Sequence, residues 1–547
     1  MVLAYLSRPA FSIKRLKTVV AITATLVIFT FVYKSGYSSF SPRYASRQTL
    51  LIGQKCPPGI ANDDTPTGFL CRIRQAQEKA QSRLKNQSSN VGEAVAEYRR
   101  RYRRSPPKGF EEWVAFALAH DSRIIDDFDQ IDRDLEPYRT PEARQAFLRL
   151  KEQSEDCPRT TRITIQNGTM SMSAPYMYEG AWRGLIQPFL HALPDNLLFL
   201  STIDEPRILD SSKPPSLVAQ FNERSGESIE DLVLDSCAHR APQSAGTHAR
   251  YNDVCQSSRP ADLHALIASP STFSYTHTLV PILSFGRMSA FRDILVPCPC
   301  YTGHPVVQQE PMAFSEKKRM IYWRGSTTGG KATRFTWKTG HRERFVAFIQ
   351  SLQNTAKVLQ TGQFFGLQVD KLDRQQIALF KDVFDIHFGS YIQCDEESCK
   401  DMERVLGPSD VEPEDTSSHY QYLYDIDGNS MSTRFYRLLS RQAVVFKQTW
   451  FQEWHDDRLI PWAHYIPVTM TMEELPAMVN FLVNDPAGQV LSAEIAHAGS
   501  TWSRQVVREI DMSIYLYRLM IEMASLFDVD HLEQEEATGG REFNKKM

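Results

Sequence analysis

The chain has little net charge, no internal repeat and no low-complexity tract. Its 62 lysines and arginines nearly balance 65 aspartates and glutamates, leaving a formal charge of -3 over 547 residues. That balance does not indicate nucleic acid as a partner, because phosphate backbones demand a clustered basic surface. One basic run stands out, Arg99–Arg104 (RRRYRR). It reads as a solvated helix face, or alternatively as a patch for an acidic partner. Zinc-knuckle pairs are lacking as well: Cys298-Pro-Cys300 and Cys394 to Cys399 read as bridges or buried thiols.

Long apolar runs are scarce, with one exception. Residues 18–33 (TVVAITATLVIFTFVY) carry no charge. At about 1.5 Å per residue they make about 24 Å of helix, near the lower limit for a bilayer span. Arg8, Lys14, Arg15 and Lys17 precede the run, and Lys34 alone follows it closely. That asymmetry holds residues 1–17 in the cytosol and sends the rest to the lumen. A cleaved signal peptide is the rival reading, but the run is long for one and no convincing small-x-small cleavage site follows. The expectation is a single-pass type II protein of the endoplasmic reticulum or Golgi membrane. Asn86-Gln-Ser88 and Asn167-Gly-Thr169 are then glycosylation acceptors, and the nine cysteines are free to form disulfides. Nine is odd, so at least one cysteine stays unbridged or pairs between chains.

Hydrophobic residues make up 42% and charged residues 23%, ordinary for a globular protein of more than one domain. Residues 34–105 read as a stem, Ser- and Pro-rich at first, with a helix over Val91–Arg104. Helical periodicity marks Phe110–Ala119, Trp182–Leu193, Arg342–Leu352, Phe435–Leu439, Leu475–Val483, Leu491–Ala498 and Ile510–Phe527. Short apolar runs at Asn196–Ile203, Met320–Trp323, Asp382–His387, Ala443–Lys447 and Tyr465–Val468 read as strands. Alternating strands and helices predict α/β layers with parallel sheets. Two such regions, 106–315 and 316–547, predict two Rossmann-like domains facing a cleft.

Three segments carry chemistry. Tyr322-Trp-Arg-Gly-Ser-Thr-Thr-Gly-Gly330 joins a strand to a glycine-rich turn with hydroxyls. Such a turn cradles phosphate through backbone N–H groups, and Arg324 adds a bidentate fork. It nearly matches a nucleotide-binding P-loop, but Ala332 stands where the magnesium-ligating hydroxyl belongs. Asp427-Gly-Asn-Ser-Met-Ser-Thr-Arg434 is a turn entering a helix, a natural diphosphate site or an ordinary capped helix with a salt-bridged arginine. Leu459-Ile-Pro-Trp-Ala-His-Tyr-Ile-Pro-Val468 is a tight turn before a strand, where His464 contacts a nucleotide or sugar, or is structural. Asp425-Ile-Asp427 also spells D-x-D, a manganese motif in one class of sugar transferases. Asp127-Phe-Asp129, Asp132-Arg-Asp134 and Asp528-Val-Asp530 match equally well, so no metal is expected.

In this order the three segments resemble the CAP10-like glycosyltransferases, family 90, which include protein O-glucosyltransferases and fungal capsule-associated xylosyltransferases. LPDNLLFLSTIDEPR (193–207) and PPKGFEEWVAFA (106–117) match more weakly. The resemblance spans roughly residues 100–525. It implies a GT-B fold and inverting, metal-independent transfer of xylose or glucose from a UDP-sugar to a hydroxyl of a glycan or glycoprotein. No cofactor beyond the donor is implied. By motif, Arg324, Gly325, Ser326 and Thr327, with Ser432 and Arg434, hold the diphosphate, and Arg434 also serves catalysis. Asp427 and Glu453 match acidic positions in or near that site. The family's protein O-glucosyltransferases carry an aspartate base some thirty residues before the segment matching Asp204. Here residues 168–182 (GTMSMSAPYMYEGAW) hold no aspartate. Glu179 and Asp204 are the candidates for the base. The departure also keeps open an inactive, lumenal glycan- or protein-binding member of the fold.

Overall fold

The computed structural model describes residues 56–57, 59–152, 157–211, 216–240, 249–303, 310–353 and 378–528. The expected cytosolic tail, membrane anchor and first part of the stem lie outside the described residues. Among the described residues no helix is long and apolar enough to cross a membrane.

Residues from 61 onward form one compact unit built on two five-stranded sheets. The first contains β1 (Thr160–Gln166), β2 (Thr169–Met172), β3 (Asn196–Ser201), β6 (Ile282–Ser284) and β7 (Ile294–Leu295), in the order β2-β1-β3-β6-β7. A small ribbon pairs β4 (Asn222–Arg224) with β5 (Phe273–Tyr275). The first sheet is mixed: β3, β6 and β7 run parallel, while β1 is antiparallel to β2 and β3. The β1–β2 hairpin turns on Asn167-Gly168, both at positive φ (49° and 69°). That pairing matches the twist of the flanking strands.

The second sheet is wholly parallel. It contains β8 (Lys318–Ser326), β9 (Phe384–Ser390), β10 (Tyr420–Ile426), β11 (Val444–Gln448) and β12 (Ile466–Val468). Their order is β12-β11-β10-β8-β9. The chain leaves β8 toward β9, then returns to β10 and proceeds the other way. The order therefore reverses between β8 and β10, and a crevice opens outside their carboxyl ends. Ligands of open α/β sheets bind at such a switch point.

Two segments sit differently from expectation. Residues 66–102, expected as stem, are largely two packed helices, Pro66–Lys85 and Val91–Tyr102. Phe69, Cys71, Ile73 and Tyr98 are buried, and the Tyr98 hydroxyl donates to Glu522 at 3.1 Å. Few apolar residues mark this stretch, but they fall on one helical stripe and suffice to dock it. The basic run closes internally: Arg101 meets Glu97, Asp127 and Asp129, and Arg104 meets Asp132 and Glu522. The last helix, Glu509–Leu526, follows the second sheet in sequence yet packs on elements of the first. Trp113 Nε1 donates to the Ile514 carbonyl at 2.9 Å, and Asn196 Nδ2 donates to that of Met520 at 2.9 Å. The helix is apolar nearly all round, so only a buried position between layers satisfies it.

Among the described residues, bridges join Cys237–Cys255, Cys298–Cys300 and Cys394–Cys399, Cys56 and Cys71 are disulfide-bonded as well, and Cys157 is free.

Candidate functional site

The glycine-rich and Asp-Gly-Asn-Ser segments leave the carboxyl ends of β8 and β10, so both border the switch point. One buried side chain ties them together. Arg342, at the start of the helix His341–Gln353, donates Nε to the Asp427 carbonyl at 2.6 Å and Nη2 to that of Ile426 at 3.3 Å. Its Nη1 reaches the Ser326 carbonyl at 2.8 Å and the Thr328 hydroxyl at 2.7 Å. Arg434 converges on the same place, donating to the Arg324 carbonyl at 2.7 Å and to Ile426 at 3.4 Å. Both guanidinium groups lie near the Trp323 ring, 6.0 and 5.8 Å from its centroid.

These two cations are satisfied by neutral oxygens. Among the described residues Arg342 has no carboxylate within ion-pair distance, and Arg434 meets only Asp425, at 3.9 Å. Asp425 is itself engaged by the Ser432 hydroxyl at 2.5 Å and lies 3.6 Å from Lys447. Burial lowers the pKa of both arginines, Arg342 to about 9 with Arg434 beside it as the second cause. The folded chain thus brings two guanidinium groups together at the carboxyl end of the second sheet.

The other expected site residues occupy different surroundings. Arg324 extends to the Tyr322 face of β8, where its Nη2 meets Asp385 at 2.8 Å, Asp410 at 2.8 Å and Glu412 at 3.2 Å. Gly325 has no room for a side chain, since a Cβ there would fall 2.5 Å from the Trp323 ring. The Thr327 hydroxyl donates to the Ile392 carbonyl and accepts its N–H, both at 2.8 Å, which fixes the turn after β9. Ser326 lies at the end of β8 with its hydroxyl toward Thr328, at 3.4 Å. Ser432 is buried and committed to Asp425. Glu453, pushed up to about 7 by burial, accepts from the Tyr301 hydroxyl at 2.8 Å and lies 3.3 Å from Lys447. His464 accepts the Ile460 N–H at 2.9 Å and stacks on Trp502, and burial lowers its pKa to about 3. These contacts place it in the structural turn.

Asp427 faces inward. Its Oδ2 accepts the Trp450 N–H at 2.9 Å and lies 3.5 Å from His264 Nε2, and burial raises its pKa to about 7. His264 accepts the Leu266 N–H on Nδ1 at 3.2 Å, so its neutral form carries the proton on Nε2, facing that carboxyl. His341 stacks on His264 with ring centres 3.9 Å apart and meets the Asp427 carbonyl through Nε2 at 2.7 Å. Gly330 packs against this same turn. A Cβ there would come within 2.6 Å of the Ser269 carbonyl and 2.7 Å of Ala265, and the Lys331 N–H donates to Ser269 at 2.7 Å. The glycine-rich loop thus presses on the segment that follows His264.

Of the two candidate bases, Asp204 reaches this crevice. It follows β3 and faces Asn429 of the Asp-Gly-Asn-Ser loop, whose side chain hydrogen-bonds it. Asn429 Oδ1 in turn accepts the Gly329 N–H at 3.1 Å. Asp204 keeps solvent-exposed surface while protein encloses it on several sides. The enclosure raises its pKa and the Asn429 contact opposes that rise. Glu179 begins the helix Glu179–Ile186, half-exposed, with one carboxylate oxygen taken by Arg183 at 2.9 and 2.7 Å.

Sequence reasoning missed Arg342, His264 and Asn429. One signal was present for Arg342: a cation in the first turn of a helix opposes the macrodipole and calls for a reason.

Residues 390–539 match the family described as Glycosyl transferase family 90. The chain is 24% identical over 259 residues to protein O-glucosyltransferase 1 of Homo sapiens, covering 46% of this chain and 59% of that protein. It is 24% identical over 264 residues to O-glucosyltransferase rumi of Drosophila pseudoobscura pseudoobscura, covering 44% and 54%. Over 128 residues it is 31% identical to the rumi homolog of Aedes aegypti, covering 23% and 31%. The first two matches span a little over half the length of those relatives.

Proposed function

We propose that this chain is an inverting glycosyltransferase of GT-B architecture that moves a sugar from a UDP-sugar to a hydroxyl of a glycan or glycoprotein, without a metal. The observation that carries the reading is the pair Arg342–Arg434, one guanidinium buried and one half-buried, converging on the Ile426 carbonyl at the switch point of a parallel sheet. In the reaction the acceptor oxygen attacks the anomeric carbon and its proton passes to Asp204. The bond from that carbon to the diphosphate breaks, and the electron pair goes to the β-phosphate oxygen. Arg342 and Arg434 hold that developing charge in place of a cation. Asp204 suits the base because it is accessible, lies against the donor loop and has a raised pKa. The family and the relatives' printed activity support glucose as donor sugar, with xylose next. The disulfides support a lumenal location behind the N-terminal anchor.

The test is UDP release from UDP-glucose and UDP-xylose with a glycan acceptor panel, comparing Asp204→Asn with Glu179→Gln. We expect Asp204→Asn to lose about 10²–10⁴-fold in turnover while still binding UDP, and Glu179→Gln to remain active. Full activity of Asp204→Asn removes it as base. Retained UDP binding with no turnover by the wild-type chain on any acceptor favours the inactive, glycan-binding member, a reading supported by the missing aspartate in residues 168–182.

A further inference from the structure

A second cavity, of about 520 Å³, opens away from the switch point. It lies among the first long helix, the turn before helix Asp129–Leu135, the loop between β6 and β7, and the connection from β11 to β12. A wall separates it from the donor loops. Arg287 and Gln452 exchange backbone hydrogen bonds at 3.1 and 2.8 Å across that wall. Gly286 beside them packs so closely on Met431 and Phe451 that a Cβ would lie 3.2 and 3.3 Å from their side chains.

The lining is strongly polar, and its arginines are already paired, while Lys79 stands outside these pairs. Arg133 holds Asp457 at 3.0 and 3.1 Å, Arg83 lies 3.4 Å from Asp127, and Arg292 holds Asp210 at 2.5 Å. Arg287 is buried against Asp134. A phosphate or carboxylate ligand entering here has Lys79 to meet, but at the arginines it must break a pair and face the carboxylate so freed. A neutral polyol has no such cost. Each guanidinium has five N–H donors and a single pair occupies at most a few of them. Arg133 spends only Nη2 on Asp457, and Arg292 spends Nε and Nη2 on Asp210. The remaining N–H groups donate to hydroxyls, and the carboxylates' spare lone pairs accept from them. Burial pushes the pKa of Asp456, also in the lining, up to about 8. The size falls within the usual range for small-molecule sites.

We infer that this cavity is a binding site for an uncharged, hydroxyl-rich ligand, a neutral saccharide unit, held apart from the transfer centre. The inference rests on the glycan-directed reading only for its biological meaning; the cavity's chemistry stands without it.

The experiment is calorimetric and saturation-transfer titration of the full chain in detergent with cellobiose, maltose, xylobiose and mannobiose, and with inorganic phosphate as the anionic arm. Each is run with and without saturating UDP. At least one disaccharide is expected to bind with equal affinity in the presence of UDP, and phosphate is expected not to compete with it. Gln452→Trp and Asn252→Trp, wedges from two different elements, are each expected to weaken that binding at least about tenfold while UDP binding is kept. The inference is overturned if no disaccharide binds, if UDP or phosphate displaces it, or if binding survives in either wedge variant. Loss of UDP binding in the wild type would instead strike the proposed function and leave the saccharide result readable.

Discussion

Consider replacing Arg434 with alanine. Its guanidinium lies at the carboxyl end of the second sheet, half-buried, bonded to the Arg324 carbonyl at 2.7 Å, with Asp425 no nearer than 3.9 Å. A unit charge about 4 Å from a phosphate at an effective dielectric of about 20 is worth about 4 kcal/mol. Removing one preorganised donor from a developing oxyanion typically costs about 2.7–4 kcal/mol, or about 10²–10³ in turnover. The two estimates agree, so a loss of about 10²–10³-fold in UDP release is expected. The fold should suffer less. The substitution deletes a charge-assisted bond to a carbonyl worth about 1.5–3 kcal/mol, but it also relieves the repulsion from Arg342. Arg434→Lys keeps the charge and loses the planar fork, so it should fall between the two. The assay is coupled UDP release for turnover, calorimetry for UDP affinity and denaturant unfolding for stability. Turnover and UDP affinity within a few-fold of wild type in a folded Arg434→Ala protein would refute the reasoning.

Arg324→Gln should behave in the opposite way. It strips the cation from Asp385, Asp410 and Glu412, so it should lower stability more than UDP affinity. Hydrogen bonds to Tyr420 and Arg324 hold the Asp385 carboxyl below the usual carboxylate range. That stabilisation exists above the unfolded carboxyl pKa and disappears as pH falls through the folded one. The stability gap between variant and wild type should therefore be widest near pH 7 and close below about pH 4, as read by thermal unfolding. A separate pH effect comes from Glu205 and Glu343, each pushed up to about 8 by burial. The folded chain holds these protons between about pH 4 and 8 while the unfolded chain releases them, so the two groups make stability fall as pH rises through that window. Glu343→Gln should flatten part of the slope, and an unchanged slope in that variant would exclude Glu343 as a source.

Most elements with an unbroken apolar period were legible. Phe110–Ala119 was placed to the residue, and β3, β8, β9, β11 and β12 all fall on runs read as strands. The β10 strand was not, although it is the centre of the second sheet. Its sequence, Tyr-Gln-Tyr-Leu-Tyr-Asp-Ile, has every residue buried, so Gln421 and Asp425 interrupt the apolar signal and no alternation survives. Gln421 donates to the Phe314 carbonyl at 2.8 Å, far off in sequence, and Asp425 is met by Ser432 and Lys447 from the segments that follow the strand.

The candidate site divides in the same way. Glycines, hydroxyls and Arg434 announced two loops suited to an anion, because that chemistry needs those residue types close together in the chain. Which arginine partners Arg434 was another matter. Arg324 and Arg342 are equally cationic on paper. The pleat of β8 carries Arg324 toward three carboxylates, while the helix after it carries Arg342 between the loops. Local sequence determined where an anion-binding turn can form; only the packing of strands and helices decided which charges are neutralised within the protein and which remain for a ligand.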